Sequence, residues 1–157
     1  MQGDPLFMQQ AISLATENVV SGRGGPFGAV IVRDGKVVAT GANLVTATND
    51  STAHAEVVAI RNACTALASF QLAGCTIYTS CEPCPMCLGA IYWAHLDAIY
   101  FGNTAADAAN AGFADEDLYR ELTRPHAQRQ ISIVNLLRDE AASSFAAWKA
   151  HEPRIEY

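Results

Sequence analysis

The spacing of apolar residues alternates between two periods, one typical of helices and one typical of buried strands. Apolar side chains recur every three or four residues over about 5–20, which predicts a helix. Residues 28–33, with the sequence GAVIVR, form a short apolar run that predicts a buried strand. Asp34-Gly35 is a hairpin signal, so residues 36–43 are predicted to pair with that strand.

The alternation of helical and strand patterns continues to the end of the chain. The further predicted elements are a polar loop over 45–52, helices over about 53–70 and 84–94, strands over 75–80 and 98–102, short helices or loop over 104–114 and 115–120, a strand over 131–137 and a closing helix over 139–151. Alternating helices and strands indicate the α/β class. We therefore expect a three-layer α/β/α sandwich with one mixed central sheet of about five strands.

Length and composition favour a single domain over 1–157. Half of the 157 residues are hydrophobic, which is enough to build a core. The net charge is −6 with no basic stripe, and this argues against extended nucleic-acid binding, whose affinity comes largely from neutralised phosphates. No apolar run approaches the length of a membrane span, and residues 1–22 lack the pattern of a signal peptide. We predict a cytoplasmic protein that binds neither nucleic acid nor membrane.

Three of the five cysteines lie in the segment TSCEPCPMCLGA, residues 79–90. Cys84 and Cys87 are three residues apart at the predicted start of a helix, so both sulfurs lie on one helix face. The positive end of a helix stabilises thiolates, and two thiolates at one helix start make half of a zinc site. Cys81 lies before Pro83 at a predicted strand end, and we interpret it as a small buried residue.

A third metal ligand is available in the segment TAHAE, residues 52–56. Of the four histidines, only His54 lies at a predicted loop-to-helix junction beside a carboxylate. One histidine and two cysteines leave a coordination position for water, as catalytic zinc sites do, and Glu56 would then carry protons beside the metal. The combination of H-x-E with P-C-x-x-C matches the signature of zinc-dependent nucleobase deaminases.

Three other interpretations of these residues remain at this stage. The overlapping C-x-x-C pairs are compatible with a redox pair, although nothing around them is typical of a thioredoxin-like protein. A closed structural zinc site would need Cys81 as its fourth ligand and would leave Glu56 without a role. A zinc-stabilised binding module without catalysis is the alternative that is not an enzyme.

Beyond these motifs, the chain resembles the cytidine-deaminase-like superfamily and, within it, the bacterial guanine deaminases. The segments that carry the resemblance span nearly the whole chain: GGPFGAVIV (24–32), NDSTAHAEVVAIR (49–61), YTSCEPCPMCLGAIYWA (78–94), DAANAGF (107–113) and the terminal Glu156-Tyr157. The resemblance implies a single zinc-dependent domain, with one Zn²⁺ per subunit, that converts guanine to xanthine and ammonia in purine salvage or catabolism. Guanosine, cytosine and tRNA adenosine are the alternative substrates.

The resemblance also implies roles for individual residues. The residues implied to hold zinc are His54, Cys84 and Cys87. Glu56 is implied as the general acid/base. The residues implied to contact the purine substrate are Asn43, Phe27, Trp93, Tyr157 and the backbone of Ala55.

A second acid is implied after the AGF segment, and here the chain departs from the family pattern. The family places two acids directly after Gly-Phe, whereas Phe113 is followed here by Ala114. Asp115 is the best match, and a shift of register would promote Glu116. The resemblance further implies a homodimer in which residues 138–157, a C-terminal helix and tail, close an active site and cross to the neighbouring subunit.

Overall fold

The computed structural model describes residues 3–113 and 115–156, apart from the side chains of Asp115 and Glu116. Its helices are α1 (Pro5–Val20), α2 (Val45–Thr48), α3 (Ala55–Leu67), α4 (Pro85–Trp93), α5 (Ala105–Asn110), α6 (Asp115–Thr123) and α7 (Arg138–Ala150), with a 3₁₀ turn at His126–Gln128. Its strands are β1 (Gly28–Arg33), β2 (Lys36–Ala42), β3 (Cys75–Cys81) and β4 (Ala98–Asn103). The α/β class is confirmed, and the chain forms two compact units, Met1–Tyr119 and Arg120–Tyr157.

The central sheet has the strand order β2-β1-β3-β4. Strand β1 pairs antiparallel with both β2 and β3, and β3 pairs parallel with β4, so the sheet is mixed as predicted. The helices and strands predicted through residue 103 are confirmed with shifts of a few residues at their ends, and the predicted loop over 45–52 contains the one-turn helix α2.

The strand predicted over 131–137 is wrong. These residues have no regular secondary structure, and the side chains of Ile131, Val134 and Leu136 are exposed. An apolar run indicates side chains that favour burial, but a strand also needs a neighbouring strand with which to form hydrogen bonds. The described part of the sheet therefore has four strands and not about five.

Side chains of β1 alternate between the two faces of the sheet and build a core on each. Ala29 and Ile31 pack with buried residues of α3 and α4, which cover one face. Val30 and Val32 pack with Ala11 of α1, which covers the other face. Because successive side chains of a strand point to opposite faces, one apolar strand is buried on both sides, which gives the expected three layers.

Close packing of α3 on β2 positions the start of that helix. The buried face of α3 is made of small residues, among them Ala55, Ala59 and Ala63. A Cβ atom at Gly41 would collide with the carbonyl oxygen of Ala55 and the amide nitrogen of Ala59, so this strand position accepts only glycine at the observed separation. The absence of a side chain there lets the first turn of α3 lie directly on β2.

The unit Arg120–Tyr157 has little buried apolar surface of its own. Its helix α7 exposes Phe145 and Trp148, which are three residues apart and share a helix face. Among the residues that the structure describes, no helix is long and apolar enough to cross a membrane.

Candidate active site

Two helix starts come together at the candidate site. His54 is the N-cap residue of α3, and Cys84 is the N-cap residue of α4. Cys84 has an extended backbone, with φ −65° and ψ 167°, and it is followed by Pro85 at the first helical position. A residue before proline avoids the helical conformation, and proline is favoured at the first helical position, so the Cys-Pro pair specifies where α4 begins.

Three side chains of these helix starts form a candidate metal group. The ligand atoms of His54, Cys84 and Cys87 all lie within 4.8 Å of one another. The His54 Nδ1 is 3.6 Å from the Cys84 Sγ and 3.5 Å from the Cys87 Sγ. Bond lengths of about 2.3 Å for Zn–S and 2.0 Å for Zn–N in a tetrahedral site place such N and S atoms about 3.5 Å apart. The observed spacing therefore fits zinc without rearrangement.

A hydrogen bond between the two thiols of the metal group shifts their pKa values in opposite directions. The hydrogen bond between them lowers the pKa of Cys84 to about 4, because the Cys87 thiol donates to the Cys84 thiolate. The same hydrogen bond, followed by burial, raises the pKa of Cys87. Because metal ligation requires thiolates, a cation bound here would displace the proton of the Cys87 thiol.

Cys81 lies apart from the metal group. Its side chain is buried, and its Sγ is 3.6 Å from the carbonyl oxygen of Thr104. Within the described residues, the group that can hold a metal ion contains the other two cysteines and His54 but not Cys81. The closed four-ligand site considered from the sequence is therefore not supported, and three ligands leave one position for water.

A cavity of about 320 Å³ opens beside the metal group. The residues that line it are Gly25, Phe27, Asn43, Val45, Thr46, His54, Glu56, Glu82, Cys84 and Phe113. Glu56 is 7% exposed, and burial raises the pKa of its carboxyl group. Such a volume is within the usual range for small-molecule sites.

The predicted substrate contacts Asn43 and Phe27 lie in this cavity. Asn43 is nearly buried, and its Oδ1 accepts a hydrogen bond from the Val45 N–H at 3.3 Å. The ring of Phe27 meets the ring of Phe113 edge to face, with ring centroids 4.8 Å apart. The Ala55 side chain is buried in the core, while its backbone N–H belongs to the first turn of α3, where amides have no acceptor within the helix.

Of the three remaining predicted site residues, only Trp93 has a side chain within the described part of the chain. Trp93 ends α4 with 69% of its surface exposed and is not among the lining residues. Asp115 begins α6, but its side chain lies outside the described part of the chain, as does the whole of Tyr157. The roles assigned to these residues by resemblance stay predictions.

Sequence reasoning missed several lining residues, of which Glu82 and Phe113 are the most informative. The Glu82 Oε2 accepts a hydrogen bond from the Ala105 N–H at 2.9 Å, which ties the chain before Cys84 to the start of α5. A signal was available for both residues, since Glu82 lies inside the CEPC segment and Phe113 ends the AGF segment. Neither signal reports that the two residues face the same cavity.

The sequence and the structure of the chain are similar to those of known deaminases. Residues 1–103 match the family described as the cytidine and deoxycytidylate deaminase zinc-binding region. The chain is 51% identical to the guanine deaminase of Bacillus subtilis over 151 residues, which is 96% of this chain and 97% of that protein. A crystal structure of guanine deaminase from B. subtilis superposes with a TM-score of 0.96 at 49% identity and covers 99% of both chains. The tRNA-specific adenosine deaminase of B. subtilis is 40% identical over 102 residues, which is 65% of this chain and 63% of that protein.

Proposed function

The chain belongs to the family of the cytidine and deoxycytidylate deaminase zinc-binding region, and we propose on this premise that it hydrolyses guanine to xanthine and ammonia. One observation favours guanine over the alternative substrates. The similarity to the B. subtilis guanine deaminase spans nearly the whole chain, whereas the similarity to a tRNA adenosine deaminase covers about two thirds of it. The reaction would serve purine salvage or catabolism.

Zinc is the cofactor of this family region, and we assign its ligands to His54, Cys84 and Cys87. Their mutual spacing supports the assignment. A zinc ion held there supplies water whose pKa is lowered to about 7, and therefore hydroxide at neutral pH. The role of the chain is to hold three ligands rigidly at two helix starts and to place a carboxyl group beside the fourth position.

Glu56 is assigned as the proton carrier of the reaction. It accepts a proton from the attacking water and passes it to a ring nitrogen of guanine, which makes C2 electrophilic. The water oxygen adds to C2, Glu56 then takes the proton of the new C2 hydroxyl group and passes it to the exocyclic nitrogen, and the bond between C2 and that nitrogen breaks to release ammonia and leave the C2 carbonyl of xanthine. The burial of Glu56 in the cavity wall, beside His54 and Cys84, supports this role.

Binding of the purine is assigned to groups at the other side of the cavity. The carboxamide of Asn43 and the first-turn N–H of Ala55 would hydrogen-bond the polar edge of the base, and Phe27 would pack against the ring. Trp93 and Asp115 keep their predicted roles as a ring contact and a second acid. Neither of the last two assignments has support from the described side chains.

Ammonia release from a panel of substrates tests the proposed function. The zinc-loaded protein is incubated separately with guanine, guanosine, cytosine and a tRNA that carries adenosine in its anticodon, and its zinc content is measured in parallel. We expect kcat/KM for guanine to exceed the values for cytosine and for the tRNA adenosine by at least about a hundredfold, because a base with an unmatched hydrogen-bonding edge is strongly rejected. Guanosine has the same edge as guanine, so its kcat/KM relative to that of guanine reports whether the site accepts a ribose. Preference for another substrate would reassign the enzyme, and one zinc per chain without ammonia from any substrate would favour the binding module.

We propose further that the protein is a homodimer in which residues 138–157 close the active site of the partner. Apolar side chains are exposed in the unit Arg120–Tyr157, and they include Ile131, Val134, Leu136, Phe145 and Ile155. Exposed apolar surface of this extent is typical of segments that are covered by another chain. A cytoplasmic location belongs to the same proposal and is supported by the five cysteines, which form no disulfide bond with one another.

Complementation between two inactive chains tests the exchange of this segment. One chain ends at Ile155, and the other is full-length Glu56→Gln; the two carry different tags and are purified as a heterodimer after co-expression. If the tail serves the partner, the shortened chain regains a complete site, and activity returns to roughly half that of the wild-type dimer. An inactive heterodimer, or a protein that sediments as a monomer, would contradict the proposal.

A further inference from the structure

Asn18 is a fully buried polar residue of α1 that has no part in the proposed reaction. Its side chain is 0% exposed. Its Nδ2 donates two hydrogen bonds, one to the carbonyl oxygen of Gly25 at 2.9 Å and one to the carbonyl oxygen of Asn43 at 2.8 Å. Because both partners are acceptors, the orientation of the carboxamide is determined by the structure.

The hydrogen-bonding capacity of the Asn18 carboxamide is only partly used. Its Oδ1 is buried and has no hydrogen-bond partner within the described part of the chain. A buried acceptor left unpaired costs about as much as a neutral hydrogen bond contributes, so the net gain from the two donated bonds is small. An apolar side chain at this position would leave the Asn43 carbonyl without the donor that Asn18 supplies, whereas the Gly25 carbonyl would keep the Phe27 N–H.

The two donated bonds close a ring of interactions beneath the cavity. The Gly25 carbonyl also accepts from the Phe27 N–H at 2.9 Å, and the Phe27 carbonyl accepts from the Asn43 N–H at 3.1 Å. The Asn18 amide joins the two ends of this chain of bonds. Gly25, Phe27 and Asn43 all line the cavity, so the ring fixes one of its walls.

Close approach of the backbone makes room for this ring. A Cβ atom at Gly24 would collide with the carbonyl oxygen of Asn43 and would come within 3.0 Å of the Asn18 Nδ2. A glycine is therefore needed where the loop after α1 passes the end of β2. Gly24, which opens the segment GGPFGAVIV, therefore has a packing role.

Hydrogen bonds hold both the main-chain N–H and the main-chain carbonyl group of Asn43. Its N–H is bonded to Phe27 and its carbonyl to Asn18, while its Oδ1 accepts from the Val45 N–H. Within the described residues, the Asn43 Nδ2 has no hydrogen-bond partner, and the residue lines the cavity. The ring thus leaves one donor of Asn43 available to a ligand and sets where that donor lies.

We propose that Asn18 is a positioning residue for substrate recognition, which acts by holding the main chain of Asn43 so that its carboxamide meets an acceptor on the edge of the purine. The inference rests on the proposed function for the identity of the ligand. Its geometric content, that Asn18 determines the placement of the Asn43 side chain, stands on the hydrogen bonds alone.

A double-mutant cycle with Asn43 tests the inference. Asn18→Ala is expected to raise KM for guanine about tenfold, to leave kcat within about twofold and to keep one zinc per chain, since the reacting groups are untouched. In the Asn43→Ala background, Asn18→Ala is expected to change KM by less than about twofold, because its effect passes through Asn43. Asn62→Ala is the control, since the Asn62 Nδ2 donates to the carbonyl oxygen of Thr40 in β2 at 2.9 Å, and neither residue lines the cavity.

Two results of this cycle would overturn the inference. One is an unchanged KM in Asn18→Ala, even with a lower melting temperature, which would make the residue merely structural. The other is the same rise in KM with and without the Asn43 carboxamide. If Asn18→Ala does not fold, Asn18→Ser, which keeps one donor, takes its place in the same cycle.

A second measurement separates the inference from the proposed function. The side-chain amide signal of Asn43 in the ¹H–¹⁵N spectrum of the zinc-loaded protein is assigned by its loss in Asn43→Ala. Asn18→Ala should displace or broaden this signal and Asn62→Ala should not, whether or not guanine is the substrate. An unmoved signal in Asn18→Ala would overturn the inference, whereas a moved signal without deamination of guanine would overturn only the proposed function.

Discussion

Glu56→Gln is expected to keep one zinc per chain and to lower the turnover of guanine by about 10²–10⁴-fold. Glutamine has nearly the same shape as glutamate, but its amide neither accepts the proton of the attacking water nor returns it to the leaving nitrogen. The residue is buried in the cavity wall that also contains His54 and Cys84, so bulk water does not easily take over its role as proton carrier. Xanthine formation and zinc content, measured on the same preparation, check the prediction.

Glu82→Gln is the matched control for this substitution. Glu82 is a second carboxylate in the wall of the same cavity, but its Oε2 accepts a hydrogen bond from the Ala105 N–H, and a glutamine oxygen can still accept that bond. Its turnover is expected to fall by less than about tenfold, because one neutral hydrogen bond is worth about 1 kcal/mol. Equal losses in both variants would mean that negative charge in the cavity matters and would remove the special role of Glu56.

Cys84→Ala and Cys87→Ala are each expected to leave less than about a tenth of the zinc bound and to lower turnover on the order of 10³-fold or more, because the source of hydroxide at neutral pH is lost. Two remaining ligands hold the ion weakly, whereas the three present ligand atoms are already spaced for it. Metal analysis after dialysis, followed by ammonia release from guanine, checks both effects. The melting temperature should also fall, since a ligand that binds only the folded state stabilises it.

Cys81→Ala is the control within the same sequence segment. Its sulfur is near the Thr104 carbonyl and outside the metal group, so the variant should keep its zinc and most of its activity. Loss of zinc from Cys81→Ala would restore the closed four-ligand site and remove the position for water. Retention of zinc by Cys84→Ala or Cys87→Ala would contradict the ligand assignment directly.

Much of the fold could be predicted because its signals are local. The apolar run of β1 and the Asp34-Gly35 turn specify a hairpin within about fifteen residues, and the structure confirms it. The Cys84-Pro85 pair specifies the start of α4 through steric limits on two neighbouring residues. The helical spacing over 5–20 likewise predicts α1 to its last residue.

Predictions that depended on distant partners were less successful. The run over 131–137 has the composition of a strand, but no described strand pairs with it, and its side chains are exposed. The residue types of this run were informative, but the neighbouring strand that would have to pair with it is not encoded nearby.

The sequence by itself determined the chemistry of the site, because the types and short spacings of His54, Glu56, Cys84 and Cys87 specify a thiolate–imidazole zinc site with a carboxyl group beside it. Only the tertiary structure decided which residues share the cavity with these groups. Phe27 meets Phe113, and Asn18 holds Asn43, across long stretches of chain. Such contacts arise from the packing of layers and follow no local period, so no reading of neighbouring residues reveals them.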